Sequence, residues 1–367
     1  MTRLYHVAGY RKHLHRTGAR IIKADMSISP DPHAVSLADL GWSAFFADQV
    51  GEGEAGLLPA RIATVHRSRI GAETALGQMR LILLSPMKTT DFAVGDWVLL
   101  GVGDATVVRR LDRRTLLLRR TEGARAQQLI AANVDTLFIV TSCNDDFNPA
   151  RLERYLALSN EAGTRPVIVL TKADKVMDAA SYQIEAAALQ RDLAVVSLNA
   201  KSVEATAILS PWCGAGQTVA LVGSSGVGKS TLLNTLTRKS DADAQATGGI
   251  REGDAKGRHT TTARSLHPIA GGGLVIDTPG MRTLHVSDVA DGLDIVFEEI
   301  TELAPRCRFR DCTHAHEPGC AVQSAIADGT LDPARLDRWR KLSDENRDNT
   351  PVVTGARGNK STRSRRR

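Results

Sequence analysis

Long apolar runs are missing from this sequence. No stretch approaches about 18 consecutive uncharged apolar residues, so a helix that crosses a bilayer is not expected. The first residues also lack the continuous apolar segment of a secretory signal. Cysteine is scarce and odd in number, at five. Cys143 and Cys213 stand alone, whereas Cys307, Cys312 and Cys320 lie close together, which in a cytosolic chain favours a metal site over a disulfide framework. No internal repeat is visible. Acid is absent from both ends: residues 1–24 hold six Arg/Lys and residues 352–367 hold six more, with no Asp or Glu in either segment.

What is present is ordinary in amount and uneven in place. Of 367 residues, 42% are hydrophobic and 24% charged, enough apolar material for a packed core and too long a chain for one domain. The net charge is +6; the two ends carry +12, so the span between them carries −6. Within that span, residues 61–125 hold twelve Arg/Lys against six acids. Three basic zones on an acidic body point to a polyanionic partner, nucleic acid first, with solubility as the alternative for the last arginines.

Residues 1–35 are polar, rich in His and Arg, and without period; they read as disordered or non-native. Met26 is an alternative start, and an Arg-rich, acid-poor transit peptide is a second reading. Residues 36–50 (SLADLGWSAFFADQV) read as a short amphipathic helix. From about 58 to 122, RIATVHR, RLILLS, DWVLLG, ATVVRRL and TLLLRR predict roughly five short strands, a small antiparallel barrel of the OB type. Arg109, Arg110, Arg113, Arg114, Arg119 and Arg120 fall on its last two strands, where they would meet nucleic acid or form a charged, aggregation-blocking edge. From 134, buried strands alternate with helices, which predicts a mostly parallel sheet covered on both faces. After 286 the chain is helical and punctuated by Cys and His, with a helix expected at 333–347.

The strongest motif is Gly223-Ser224-Ser225-Gly226-Val227-Gly228-Lys229-Ser230, between the apolar strand VALV and the amphipathic STLLNTL. Glycines let backbone N–H groups turn toward phosphate, and the helix that follows (Ser230, Thr231) adds positive potential. Lys229 would reach the β- and γ-phosphates and Ser230 would offer its hydroxyl to Mg²⁺. Asp277-Thr278-Pro279-Gly280 ends another strand; Asp277 would hold Mg²⁺ through water and the Gly280 N–H would meet the γ-phosphate. Between them the polar stretch 239–262 ends in Gly257-Arg258-His259-Thr260-Thr261-Thr262 and reads as a switch loop. One of the three threonines should complete the Mg²⁺ shell, with Thr261 preferred.

Thr171-Lys172-Ala173-Asp174, at the end of PVIVL, resembles a base-reading element: a carboxylate at Asp174 can accept from guanine N1–H and N2 together, a donor pair adenine lacks. Ser197-Leu198-Asn199-Ala200-Lys201 follows the next strand, with Ser197, Ala200 and Lys201 expected to support the base. Both precede the phosphate loop, the reverse of the usual order, as a circular permutation would leave them. A P-loop ATPase or kinase, or a non-catalytic RNA-binding scaffold, are the rival readings. Farther on, Cys307-x4-Cys312-x-His314-x5-Cys320 offers the ligands of a closed tetrahedral zinc site, with His316 as a rival to His314.

These motifs, with Val94-Gly95-Asp96-Trp97-Val98, Ala131-Ala132-Asn133-Val134-Asp135, Asp146-Phe147-Asn148-Pro149 and Arg151-Leu152-Glu153-Arg154-Tyr155-Leu156, resemble the circularly permuted GTPases that depend on the small ribosomal subunit (the RsgA/YjeQ family) over residues 36–347. The resemblance implies a multidomain chain. An OB-fold RNA-binding unit (36–128) precedes an α/β circularly permuted P-loop GTPase domain (129–286). A small α-helical zinc-binding domain (287–347) and a basic disordered tail (348–367) follow. It implies hydrolysis of GTP to GDP and phosphate, stimulated by the small subunit late in its maturation through rRNA binding. Mg²⁺ with GTP and one structural Zn²⁺ are the implied cofactors. A cytoplasmic monomer without membrane contact is expected, an organelle being the other location. Where many GTPases place a water-orienting Gln, this chain has Met281, so His259 is the expected catalytic residue and the isolated enzyme should be slow. Thr171 departs from the Asn of many members, and both terminal extensions lie outside the resemblance.

Overall fold

The computed structural model describes residues 35–101, 103–119, 128–237, 264–278, 286–350, 353–354 and 360–361. The 36–50 segment contains only one helical turn, α1 (Ala44–Ala47). Its apolar residues instead form a pad: Leu40 and Phe46 are buried with Trp97, and the Trp42 and Trp97 rings meet edge-on at 4.8 Å. Side-chain burial there requires only that the chain lie across the barrel, which a short turn does as well as a helix.

Strands β1 (Leu58–Val65), β2 (Ile70–Thr74), β3 (Gly77–Leu81), β4 (Trp97–Leu100) and β5 (Val107–Arg110) make the barrel. β1 pairs antiparallel with β2 and β4, β2 with β3, and β4 with β5. A parallel bridge between Ile82 and Thr106 joins the β3 end to β5, and Ile62, Ile70, Val98, Leu100 and Val107 fill the interior. This closed, five-stranded arrangement is the expected OB-type barrel, but its membership differs from the sequence reading. IGAET supplies the second strand. TLLLRR becomes β6 (Leu116–Arg119), which pairs outside the barrel with β7 (Gln128–Ala132). A short alternating segment fits many partners, and only tertiary contacts choose among them.

The expected basic stripe is largely used internally. Arg109 pairs with Glu54 at 2.6 Å, Arg113 with the buried Asp96 at 2.6 Å, and Arg114 with Asp135. Arg110 donates to the Leu111 carbonyl. The VGDWV and AANVD elements lie against each other: the Asn133 side chain donates to the Gly95 carbonyl at 3.0 Å and accepts from the Arg114 N–H at 2.9 Å. At Gly95 (φ +93°) a Cβ would stand 2.1 Å from the Ala132 carbonyl oxygen, so only glycine allows this approach. These signature residues hold the barrel on the following domain.

That domain is built on β8 (Thr136–Ser142), β9 (Arg165–Thr171), β10 (Ala194–Ser197), β11 (Thr218–Val222), β12 (Arg264–Pro268) and β13 (Leu274–Asp277), in the order β10-β9-β8-β11-β13-β12. The first five strands in that order are parallel; β12 runs antiparallel beside β13 and then meets β1 of the barrel. Alternate residues divide between two cores. Leu137, Ile139, Ile168 and Leu170 face one, and Phe138, Val140, Val167 and Val169 the other. Hence the strands read as continuous apolar runs.

Helices α2 (Pro149–Glu161), α3 (Ala179–Ala187), α4 (Glu204–Leu209) and α5 (Lys229–Thr237) follow the strands. α2 starts where its sequence says: Asn148 caps the Arg151 N–H, Pro149 occupies the first position, and Gly163 (φ +73°) follows the end. The carboxyl-terminal helices α6 (Ala290–Val296), α7 (Glu298–Leu303), α8 (Ala321–Ala327) and α9 (Pro333–Asn349) share the core of α2 through Leu293, Phe297, Val322 and Leu336. Arg335 of α9, only 6% exposed, pairs with the fully buried Glu153 of α2 at 2.7 Å and lies 4.2 Å from the Phe297 ring. Such a pair costs about 3–5 kcal/mol when one partner is lost, so it fixes which faces of α2 and α9 meet. Among the described residues no helix is long and apolar enough to cross a membrane.

Candidate functional site

Parallel strands all end on the same side, and each expected nucleotide motif begins at such an end. Thr171 sits opposite Ser142, Ser197 opposite Leu170, and Val222 opposite Ile139, while Asp277 follows the Ile276 that lies beside Ala220. The loops after β8, β9, β10 and β11 therefore form one row beside the end of β13, the crevice where open α/β sheets bind ligands.

The phosphate loop leaves β11 at Gly223 (φ +141°), where a Cβ would lie 2.1 Å from the Val140 carbonyl oxygen. Gly226 and Gly228 also have positive φ, and Ser225 and Gly226 are exposed at the tip. Lys229 donates to the Gly223 carbonyl at 2.8 Å and to the Ser224 carbonyl. The Thr278 hydroxyl donates to the Leu221 carbonyl, joining the β13 end to β11 beneath the loop.

Thr171 proves to be a brace. It is fully buried, and its hydroxyl donates to the Val227 carbonyl at 2.6 Å, tying the end of β9 to the 223–230 loop. The departure from Asn thus keeps a side-chain donor at this point. Lys172 takes a left-handed conformation (φ +58°), and a short turn, Ala173–Lys175, carries Asp174 outward. The Asp174 carboxylate is exposed and makes no hydrogen bond or ion pair among the described residues. In the next loop the Asn199 side chain accepts from the Lys201 N–H at 3.0 Å, and Thr235 of α5 donates to the Ala200 carbonyl at 2.7 Å. Ser197 and Lys201 end and follow β10 beside this contact. His259, Thr261, Gly280 and Met281, and the stretch 239–262, lie outside the described residues.

The sequence reading quoted Arg151 only within a family motif and gave it no role; its guanidinium donates to the Ser224 side chain at 2.7 Å. Its position in the first turn of α2, the helix next to the phosphate-loop strand, was the available signal.

Cys307, Cys312, His314 and Cys320 converge, with all four ligand atoms within 4.8 Å of one another. The Cys307 and Cys320 sulfurs are 3.8 Å apart, and each lies 3.5 Å from His314 Nδ1. Tetrahedral zinc, with Zn–S near 2.3 Å and Zn–N near 2.05 Å, requires edges of about 3.8 and 3.5 Å. His316 is not in the cluster. Glu317 folds the intervening loop by accepting from the N–H groups of Thr313, Ala315 and His316, while Gln323 and Arg340 hold the His314 carbonyl. Burial lowers the His314 pKa, keeping the neutral imidazole that a metal needs. Burial would raise the Cys307 thiol, but the Ala321 and Val322 N–H groups together with the Cys320 and Cys312 side chains outweigh it and the net shift is downward. Cys320 caps α8 by accepting from the Gln323 N–H. The donor set fits a metal ion.

Comparison with known proteins agrees with this arrangement. The RsgA GTPase family model matches residues 110–287. A protein of Mesorhizobium japonicum named small ribosomal subunit biogenesis GTPase RsgA is 66% identical over 330 residues, covering 90% of this chain and 95% of its own. The chain belongs to the RsgA GTPase family. A Vibrio vulnificus relative, small ribosomal subunit biogenesis GTPase RsgA 2, is 49% identical, with 84% of this chain and 87% of its own covered. Among solved structures, YjeQ from Thermotoga maritima has the same fold (TM-score 0.58, 23% identity, 79% of this chain and 98% of that one). YloQ, described as a circularly permuted GTPase, matches similarly (TM-score 0.57, 23% identity, 83% and 99%). RsgA membership makes the chain a GTP-hydrolysing enzyme.

Proposed function

We propose that this RsgA-family chain hydrolyses GTP while docked on the small ribosomal subunit and acts in that subunit's late maturation. The observation that carries the site assignment is the Thr171–Val227 hydrogen bond, which joins the base-reading strand to the phosphate loop. On this reading residues 223–231 hold the phosphates. Asp174 reads guanine, with Lys172 and Ala173 beside it and Ser197, Ala200 and Lys201 in support. Ser230, Asp277 and Thr261 would hold Mg²⁺, which supplies charge neutralisation at the phosphates. Lys229 and backbone N–H groups stabilise negative charge as it shifts. His259 orients water, and the Gly280 N–H meets the γ-phosphate. Cys307, Cys312, His314 and Cys320 take structural zinc, and the protein works as a cytoplasmic monomer.

The RNA-facing part of the barrel is not the stripe that pairs internally. Arg67, Arg69 and Lys88 border an open pocket of about 390 Å³ between the β1–β2 turn and the segment after β3. All three are exposed and, among the described residues, in no ion pair. Free cations on one rim suit RNA phosphates. Replacing Arg67 and Arg69 together by Ala should weaken small-subunit binding about tenfold. The slope of log affinity against log salt should fall by about 1–2, one unit or slightly less per lost phosphate contact. Filter binding across a salt series measures both. An unchanged slope would remove this rim from the interface.

A further inference from the structure

Arg151 reaches the phosphate loop from the start of α2. It is half-buried, and its guanidinium donates to the Ser224 side chain at 2.7 Å. It forms no salt bridge with any described carboxylate. It stands in the first turn of α2, which holds no acid there, so the positive end of the helix opposes it. Lys229 grips the carbonyl of the same Ser224. The Arg151 and Lys229 side chains thus converge on one residue of the phosphate loop, an arrangement suited to a phosphate.

The backbone beneath Arg151 is fixed. Glu153, two residues on, is held by Arg335 at 2.7 Å and Arg338 at 2.8 Å, and Arg154 pairs with Glu345 at 2.6 Å. All three partners lie on α9. These pairs anchor α2 on α9, so a turn from Ser224 to a ligand would come from the Arg151 side chain.

We propose that Arg151 is a phosphate ligand: on GTP binding its guanidinium leaves the Ser224 hydroxyl and donates to the γ-phosphate, whose charge it neutralises during hydrolysis. This rests on the assignment of the loop to GTP phosphates. In the step, the water oxygen bonds to the γ-phosphorus and the bond to the β–γ bridging oxygen breaks. That oxygen keeps the electron pair on GDP, and the water proton passes to the released phosphate. Arg151 stays protonated throughout. An arginine supplied within the chain would add charge neutralisation to the water-orienting work assigned to His259.

The test compares wild type, Arg151→Ala and Arg151→Lys as full chains. It measures equilibrium binding of GDP and of a non-hydrolysable GTP analogue, and single-turnover hydrolysis of GTP. For Arg151→Ala, GDP affinity should stay within about twofold, analogue affinity should fall about tenfold, and hydrolysis should slow about 10²-fold or more. Arg151→Lys, which keeps the charge but not the planar fork, should lie between. Retained GDP binding reports an intact fold; should the Ala variant not fold, the Lys variant carries the same comparison. Equal weakening of GDP and analogue would make Arg151 only a brace for Ser224, and no change would remove it from the site; either result overturns the proposal. Wild-type protein that failed to prefer GTP over ATP would instead defeat the nucleotide assignment itself.

Discussion

Asp174→Asn should cost the protein its preference for guanine and create one for xanthine. The carboxylate is exposed, unpartnered among the described residues and set at the rim of the nucleotide crevice by the turn Ala173–Lys175. Its assigned work is to accept from N1–H and the N2 amino group together. Two hydrogen bonds to a charged acceptor contribute about 1.5–3 kcal/mol each, so GTP affinity should fall by about 10²–10⁴-fold. An amide presents one acceptor and a donor, which suits the carbonyl at C2 of xanthine. Because Asp174 is exposed and makes no hydrogen bond or ion pair among the described residues, stability should stay within about 0.5 kcal/mol of wild type. Fluorescence titration with guanine and xanthine nucleotides separates the outcomes. A variant that still prefers GTP would place base recognition elsewhere.

The second large effect concerns the metal centre. Cys320→Ser removes a ligand and also the acceptor that caps α8. Wild-type protein should carry about one equivalent of zinc and the variant close to none, since a closed site needs all four donors. The loop from Cys307 to Cys320 has little apolar packing of its own, so it should become sensitive to protease. α9 is held independently by Leu336, Leu342 and the Arg335–Glu153 pair, so GDP binding should survive. Acid should act in the same direction as the substitution. Thiolate and neutral imidazole are the binding forms, so falling pH protonates the ligands and releases the ion. Metal content by atomic absorption, beside limited proteolysis, checks this. A full equivalent of zinc in Cys320→Ser would exclude the four-ligand assignment.

How much of this was legible in the sequence depends on how local each signal is. α2 was readable because its cap, its proline and its terminal glycine all lie within the segment Asn148 to Gly163. The phosphate loop and the Cys/His spacing were readable for the same reason: each encodes its geometry within a few residues. Strand partnership was not. TLLLRR has the alternation of a barrel strand, yet its partner is residues 128–132, and IGAET is too polar to stand out although it completes the barrel. Charge in sequence likewise gave no account of charge in space. Arg109, Arg113 and Arg114 looked like a surface for RNA, but Glu54, Asp96 and Asp135 lie across from them and no local pattern reveals that. Thr171 read only as a departure from the family's Asn, whereas its hydroxyl reaches a loop 56 positions away. The buried Arg335–Glu153 pair spans 182 positions and is equally invisible from local pattern.

The central claim is that a guanine-nucleotide site of the RsgA type is driven by the ribosomal particle on which the protein docks. It is tested most directly by steady-state GTP turnover of the purified full chain, with and without purified small ribosomal subunits and with ATP as a control. The account predicts slow turnover alone and a rise of at least about tenfold with the subunit, in line with GTPases whose transition state is completed by a partner, and no turnover of ATP. Equal rates with and without the subunit would contradict it.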